Sequence, residues 1–190
     1  MAKRTRFDPA DCPPFPDFMI EARVAAGCVC GVDEAGRGPW AGPVAVAAVI
    51  LDVDRPIAGL NDSKKLTSAE REALYLEICR HSHVSVAYAS AARIDAMNIR
   101  AATLWAMRQA VAALAMAPDF VLVDGRDVPP GLKCPAEAVV KGDARSQSIA
   151  AASIVAKVSR DRLMQRMSLA YPGYGFERHM GYGVPEHAAA

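Results

Sequence analysis

The chain has 190 residues, 52% of them apolar, and a formal net charge of +1. That size and apolar content fit one globular domain with a real core and exclude a disordered chain. The near-neutral charge excludes nucleic-acid binding by global basicity, so any such contact must use a local basic patch. No run reaches about 18 apolar residues, the length a membrane helix needs. Residues 1–16 are basic and proline-rich, without the apolar stretch of a secretion signal. The cysteines at 12, 28, 30, 79 and 134 show no paired zinc spacing. They read as buried apolar residues of a reducing cytoplasm.

In chain order, residues 1–22 read as a flexible leader with at most one helical turn, and residues 23–190 as the folded domain. Residues 28–33 form a first strand. The valine-rich run 43–51 forms a buried second strand, joined to the first by a glycine-rich link as an antiparallel hairpin. Residues 56–66 are a polar loop. Thr67 and Glu70 form a capping box that opens a helix ending near His81. Residues 84–90 alternate as a third strand. The alanine-rich stretch 91–116 is a helix with Leu104, Trp105, Met107, Val111 and Leu114 on its buried face, stopped by Pro118. Residues 120–123 are a fourth strand delivering Asp124, residues 137–140 a fifth, and 146–170 a long helix. The tail from Tyr171 is rich in glycine, tyrosine and histidine and reads as irregular. Strands joined by helices give an α/β domain with a five-stranded mixed sheet flanked by helices.

Asp33 and Glu34 end an apolar strand that has no need of two charges. Carboxylates are hard oxygen ligands suited to Mg²⁺ or Mn²⁺. In two-metal catalysis the ions sit about 3.5–4 Å apart and need several acids to hold them. Asp124 also ends a strand, although Asp-Gly after a strand is commonly just a turn. Asp143 opens the long helix, where an N-cap is the plain alternative. Ligands of α/β sheets gather at strand ends, so all four acids are candidates for one site. Asp161, between two arginines, reads as half of an exposed ion pair.

Gly36-Arg37-Gly38 does not fit a dinucleotide fingerprint, because the turn leads into a strand. It suits close approach of a sugar-phosphate chain, or simply a tight hairpin. Asp62-Ser63-Lys64-Lys65 precedes a helix N-terminus and suits phosphate, or is only a solvated loop. Tyr174 and Tyr182 offer rings for stacking on a sugar or base, or for packing on the core. His179 and His187 are proton carriers or surface residues.

Seven blocks occur in order: Gly31 to Pro39, Asn61 to Leu66, Ile94 to Ile99, Val123-Asp124-Gly125, Lys141-Gly142-Asp143, Ser148 to Val158 with Arg160-Asp161, and Gly181-Tyr182-Gly183. Together they resemble the ribonuclease HII family, the type 2 ribonucleases H, over most of the chain. The resemblance implies a ribonuclease H-like fold. It implies an endonuclease that uses two Mn²⁺ or Mg²⁺ ions, with Asp33, Glu34, Asp124 and Asp143 as catalytic and metal-binding acids. The substrates it implies are RNA–DNA hybrids and duplex DNA carrying a single ribonucleotide, cut on the 5′ side to leave 3′-hydroxyl and 5′-phosphate ends. Gly36, Arg37 and Gly38 fall on the family's reader of the 2′-hydroxyl, and Tyr182 on its junction-sensing ring. Ser63 and Lys64 fall on phosphate-contacting positions. A cytoplasmic monomer with no membrane contact and no clamp-binding tail is expected. Met180 and Val184 depart from the family's usual lysine and threonine. The chain stops three residues after His187, where relatives continue with a helix and a basic segment.

Overall fold

The computed structural model describes residues 13–24 and 27–190. Its elements are α1 (Met19–Arg23), β1 (Val29–Ala35), β2 (Val44–Leu51), α2 (Ser68–His81), β3 (Ser82–Ala89), α3 (Ala91–Met97) and α4 (Ile99–Ala112). They continue with β4 (Phe120–Asp124), β5 (Ala136–Val139), a 3₁₀ turn (Gly142–Ala144), α5 (Gln147–Ala170), α6 (Phe176–His179) and α7 (Pro185–Ala189). The five strands form one mixed sheet in the order β3-β2-β1-β4-β5. The pairs β1–β2 and β2–β3 are antiparallel, and β1–β4 and β4–β5 are parallel.

Strand alternation divides the core into two layers. Val44, Val46, Ala48 and Ile50 of β2 pack with Ala102, Ala106, Met107 and Ala110 of α4. Ala47 and Val49 pack on the other face with Ile78 of α2 and Ala151, Ile154 and Val155 of α5. β2 is therefore covered on both faces, which is why its sequence is a continuous apolar run rather than an alternating one. β1 lies at the centre of the sheet, and α5 crosses it so closely that a Cβ at Gly31 would overlap the backbone of Ser148.

The capping box holds as expected: the Thr67 hydroxyl accepts from the Glu70 N–H, and the Glu70 carboxylate accepts from the Thr67 N–H at 2.7 Å. Three expectations need correction. The alanine-rich stretch is two helices rather than one. Asn98, at φ 69°, breaks it, and its side chain accepts from the Ala101 N–H at 3.0 Å to start α4 afresh. The tail is not irregular throughout, since α6 and α7 form there.

The third correction concerns the leader, of which residues 1–12 lie outside the described residues. Its later part is docked. Glu21 of α1 is buried, and its Oε1 accepts from the Ser146 hydroxyl at 2.7 Å and from the Ser148 N–H at 2.9 Å. A carboxylate at the N-terminus of the longest helix is favoured by the helix dipole and satisfies an otherwise orphaned donor. Pro16 and Asp17 carbonyls accept from Gln147 in the same place. Replacing Glu21 with alanine is expected to cost about 2 kcal/mol of stability, typical for losing charge-assisted bonds at a helix cap. A lower urea midpoint at unchanged slope is the check.

Candidate active site

Parallel pairing of β1 with β4 aligns Val32 with Val123, so Asp33 and Asp124 are the next residues on neighbouring strand ends. Cys30, Val32, Val121 and Val123 point into the α4 layer. Alternation therefore sends Asp33 and Asp124 to the α5 face, in line with Gly31 and Leu122, and turns Glu34 to the α4 face. After β5, Lys141 adopts a left-handed conformation with φ 54° and turns the chain into the 3₁₀ turn that carries Asp143. The Gly142 N–H donates to Asp124 Oδ1 at 2.7 Å and fixes this turn against the end of β4. Asp143 is not the cap of α5; the Ser146 side chain takes that role. The four acids meet at one end of the sheet from two strand ends and one turn.

Asp33 and Asp143 are buried, and Glu34 and Asp124 are half-buried. Burial, then the charges of Asp124, Glu34 and Asp143, push the Asp33 carboxyl well above the ordinary range. Burial, then Asp124 and Asp62, lift Asp143 to about 6 despite Lys64. Burial also raises Asp124 and Glu34, the latter against the pull of Arg37. Few cations answer this charge. Arg37 Nη1 lies 3.3 Å from Glu34 Oε1, and the exposed Lys64 Nζ lies 3.9 Å from Asp143 Oδ2. Among the described residues, no three His, Cys, Asp or Glu side chains close around a single point. The acids form an open, oxygen-rich cluster on both sides of the sheet end. Buried carboxylates that repel one another, with hard oxygen donors and little countercharge, fit divalent cations of the Mg²⁺ or Mn²⁺ type.

These raised pKa values give a pH signature. The folded chain holds protons that the unfolded chain, with carboxyls near about 4, has released. The cluster's contribution to stability is thus fully present below about pH 4 and is lost as pH rises through the folded values, about 6 for Asp143. In chelator, Asp143→Asn is expected to flatten the dependence of the thermal midpoint on pH between about 5 and 7. Parallel wild-type and variant profiles would count against the coupled cluster.

The glycine-arginine-glycine turn follows Glu34 after one residue, Ala35. Gly36 has φ 103°, and a side chain there would run into Arg160 and the Pro43 carbonyl. Tyr182, half-exposed, places its ring edge beside Gly38: a Cβ added to Gly38 would lie 3.6 Å from it. The structure thus brings Gly36, Arg37, Gly38 and Tyr182 together beside the acids. Lys64 reaches them from the α5 face. Ser63 does not present a free hydroxyl to solvent; it is buried and accepts from the Ser153 hydroxyl at 2.7 Å. Tyr174 stacks on Phe176 with centroids 5.3 Å apart, so the packing alternative holds for it. His179 and His187 stack on each other at 4.7 Å within the tail. Asp161 pairs with Lys157 at 2.8 Å but is only partly exposed.

Sequence reasoning missed several neighbours. Arg100 of α4 holds Asp127 through two bonds of 2.9 and 2.7 Å, and with Arg126 they line a small cavity against Glu34 and Asp124. No sequence signal marks that pair. Arg160 is another omission, and it had a signal: it continues the row Ala152, Ala156 at i+4 spacing, all buried, on to Met164.

The mixed sheet with acids at adjoining strand ends is the ribonuclease H fold. The ribonuclease H2 of Pyrococcus horikoshii OT3 superposes with a TM-score of 0.73 at 30% identity, covering 85% of this chain and 83% of that one. The family model for ribonuclease HII matches residues 30–190, and the chain belongs to that family. It is 58% identical to the ribonuclease HII of Jannaschia sp. (strain CCS1), over 92% of this chain and 87% of that protein. It is 59% identical to the ribonuclease HII of Rhizobium meliloti (strain 1021), over 93% and 83%. Membership makes it a nuclease of the hydrolase class. Among the described residues, no helix is long and apolar enough to cross a membrane.

Proposed function

We propose that this chain is a metal-dependent endonuclease that hydrolyses the RNA strand of RNA–DNA hybrids. It also cuts duplex DNA on the 5′ side of a single embedded ribonucleotide, leaving 3′-hydroxyl and 5′-phosphate ends. The observation that carries the reading is the meeting of Asp33, Glu34, Asp124 and Asp143 at one sheet end, with Arg37, Gly38 and Tyr182 beside them, in a ribonuclease HII family member.

Asp33, Glu34, Asp124 and Asp143 would hold two divalent cations. When bound, these supply Lewis-acid stabilisation of the phosphate and lower the pKa of water. Asp33 is repelled by all three other acids, which is the position a shared ligand needs. The Gly142 N–H donates to Asp124 Oδ1 and holds this carboxylate among the other acids. The Gly36–Gly38 backbone reads a 2′-hydroxyl, the group by which a protein separates RNA from DNA. Arg37, half-exposed beside Glu34, would contact phosphate. The half-exposed ring of Tyr182 stacks on the neighbouring deoxyribose. Lys64 contacts the backbone as a point charge, and Ser63 supports it through the loop that Ser153 anchors. The chain works as a cytoplasmic monomer in ribonucleotide removal from DNA and in RNA primer removal.

The test is cleavage of a DNA duplex with one ribonucleotide, and of a hybrid, with Mg²⁺, with Mn²⁺ and with chelator, beside an all-DNA control. Metal-dependent cutting confined to ribonucleotide-containing strands is expected. Cutting of the all-DNA duplex, or none of any substrate by folded protein, would overturn the reading.

A further inference from the structure

Arg160 is the largest fully buried side chain in the core, 1% exposed, and no carboxylate pairs with it among the described residues. Its guanidinium is spent entirely on backbone carbonyls. Nε donates to Pro43 O at 3.0 Å, Nη2 to Ala41 O at 3.0 Å, and Nη1 to Met180 O at 2.8 Å. The first two acceptors lie in the segment that runs on from Gly36-Arg37-Gly38, and the third directly precedes Gly181-Tyr182. The backbone of Gly36 rests against the same side chain, leaving no room for a Cβ. A second set of bonds closes the joint: the Trp40 and Ala41 N–H groups both donate to Gly181 O, at 2.9 and 3.3 Å. A Cβ at Gly181 would overlap the Ala41 carbonyl.

We propose that this joint, centred on Arg160, sets the spacing between the 36–38 turn and Tyr182, and so sets selectivity for a ribonucleotide followed by a deoxyribonucleotide. The proposal rests on the roles given above to that turn and that ring. Arg160 acts through them; it is a positioning residue. A planar guanidinium with donors in fixed directions can hold three carbonyls from two segments at one separation. An ammonium is a single point on a flexible stem and cannot fix that separation. Selectivity for a junction needs both halves of the step recognised at once, so a joint that lets them drift costs discrimination before it costs chemistry at the acids.

The experiment compares kcat/KM on duplex DNA carrying one ribonucleotide with kcat/KM on an RNA–DNA hybrid. In Arg160→Lys the ratio is expected to fall at least tenfold, with the hybrid rate falling by a smaller factor. Tyr182→Ala is expected to lower the same ratio, and the double variant to be no worse than the poorer single one, because both remove one arrangement. A folded Arg160→Lys with the wild-type ratio, or losses that multiply in the double variant, would overturn the proposal. If Arg160→Lys does not fold, Gly181→Ala opens the joint from its other side and carries the same two expectations. Wild-type protein that cuts neither substrate overturns the proposed function and this proposal together. Wild-type protein that cuts both, with an unmoved ratio in the variants, overturns this proposal alone.

Discussion

Asp33→Asn is expected to lower cleavage of a ribonucleotide-containing duplex by about 10³-fold or more, equivalent to ~4 kcal/mol at the transition state, while leaving the fold at least as stable. The two effects share one cause. Asp33 is the acid most crowded by other charges, repelled by Asp124, Glu34 and Asp143. Removing its charge relieves that repulsion in the metal-free chain. An asparagine oxygen can still accept the Glu34 N–H, which Asp33 Oδ1 now accepts at 2.7 Å, so the local backbone keeps its partner. What is lost is the negative charge that would hold cations against phosphate. Metal should therefore stabilise the wild type and not the variant: a site saturated at about 100 times its Kd adds ~2.7 kcal/mol. Single-turnover cleavage and melting with and without Mn²⁺ are the measurements. A variant that loses activity and also melts far below wild type would mean that Asp33 is a structural residue.

How much of this was legible in the sequence follows the range of the interactions. The β1–β2 hairpin and the Thr67–Glu70 box depend on residues within a few positions, and they form as read. The break at Asn98 is equally local, since an asparagine N-cap is a recognised start signal, but the surrounding alanines argued for one continuous helix. Asp33, Glu34 and Asp124 were legible as charges closing apolar strands. That β4 lies beside β1 is a long-range fact of the sheet, and only it makes Asp33 and Asp124 neighbours. Glu21 and Arg160 show the limit more sharply. Each is a charged residue whose type argues for the surface, and each is buried because distant segments supply its partners: a hydroxyl and an amide for Glu21 Oε1, and three backbone carbonyls for Arg160. The tail read as irregular because its order comes from irregularly spaced contacts, with Arg160, Trp40 and Ala41 and among its own side chains, rather than from a periodic pattern.

Gly31→Ala is expected to be the most destabilising single methyl addition in the chain, by about 3 kcal/mol or more. Gly31 lies in the middle of the central strand, paired with Val49 on one side and Leu122 on the other. The added Cβ meets the Ser148 and Ile149 backbone in the first turn of α5, not the far end of a flexible side chain. That turn cannot retreat freely, because Glu21 holds it through Ser146 and Ser148, Ser153 ties it to Ser63, and Arg160 anchors the same helix to the 41–43 segment. Gly125→Ala is the control. Gly125 has φ 102° but open space around it, so alanine there pays only for a left-handed backbone, about 1–2 kcal/mol. For a chain of this size each kcal/mol lowers the melting midpoint by roughly 2–4 °C, so Gly31→Ala should melt about 6–12 °C below wild type and clearly below Gly125→Ala. Because Asp143 enters the site just before α5, the folded fraction of the Gly31 variant should also cleave more slowly. Equal melting of the two variants would show that α5 can slide on β1. The close approach at Gly31 would then not be what holds Asp143 beside Asp33.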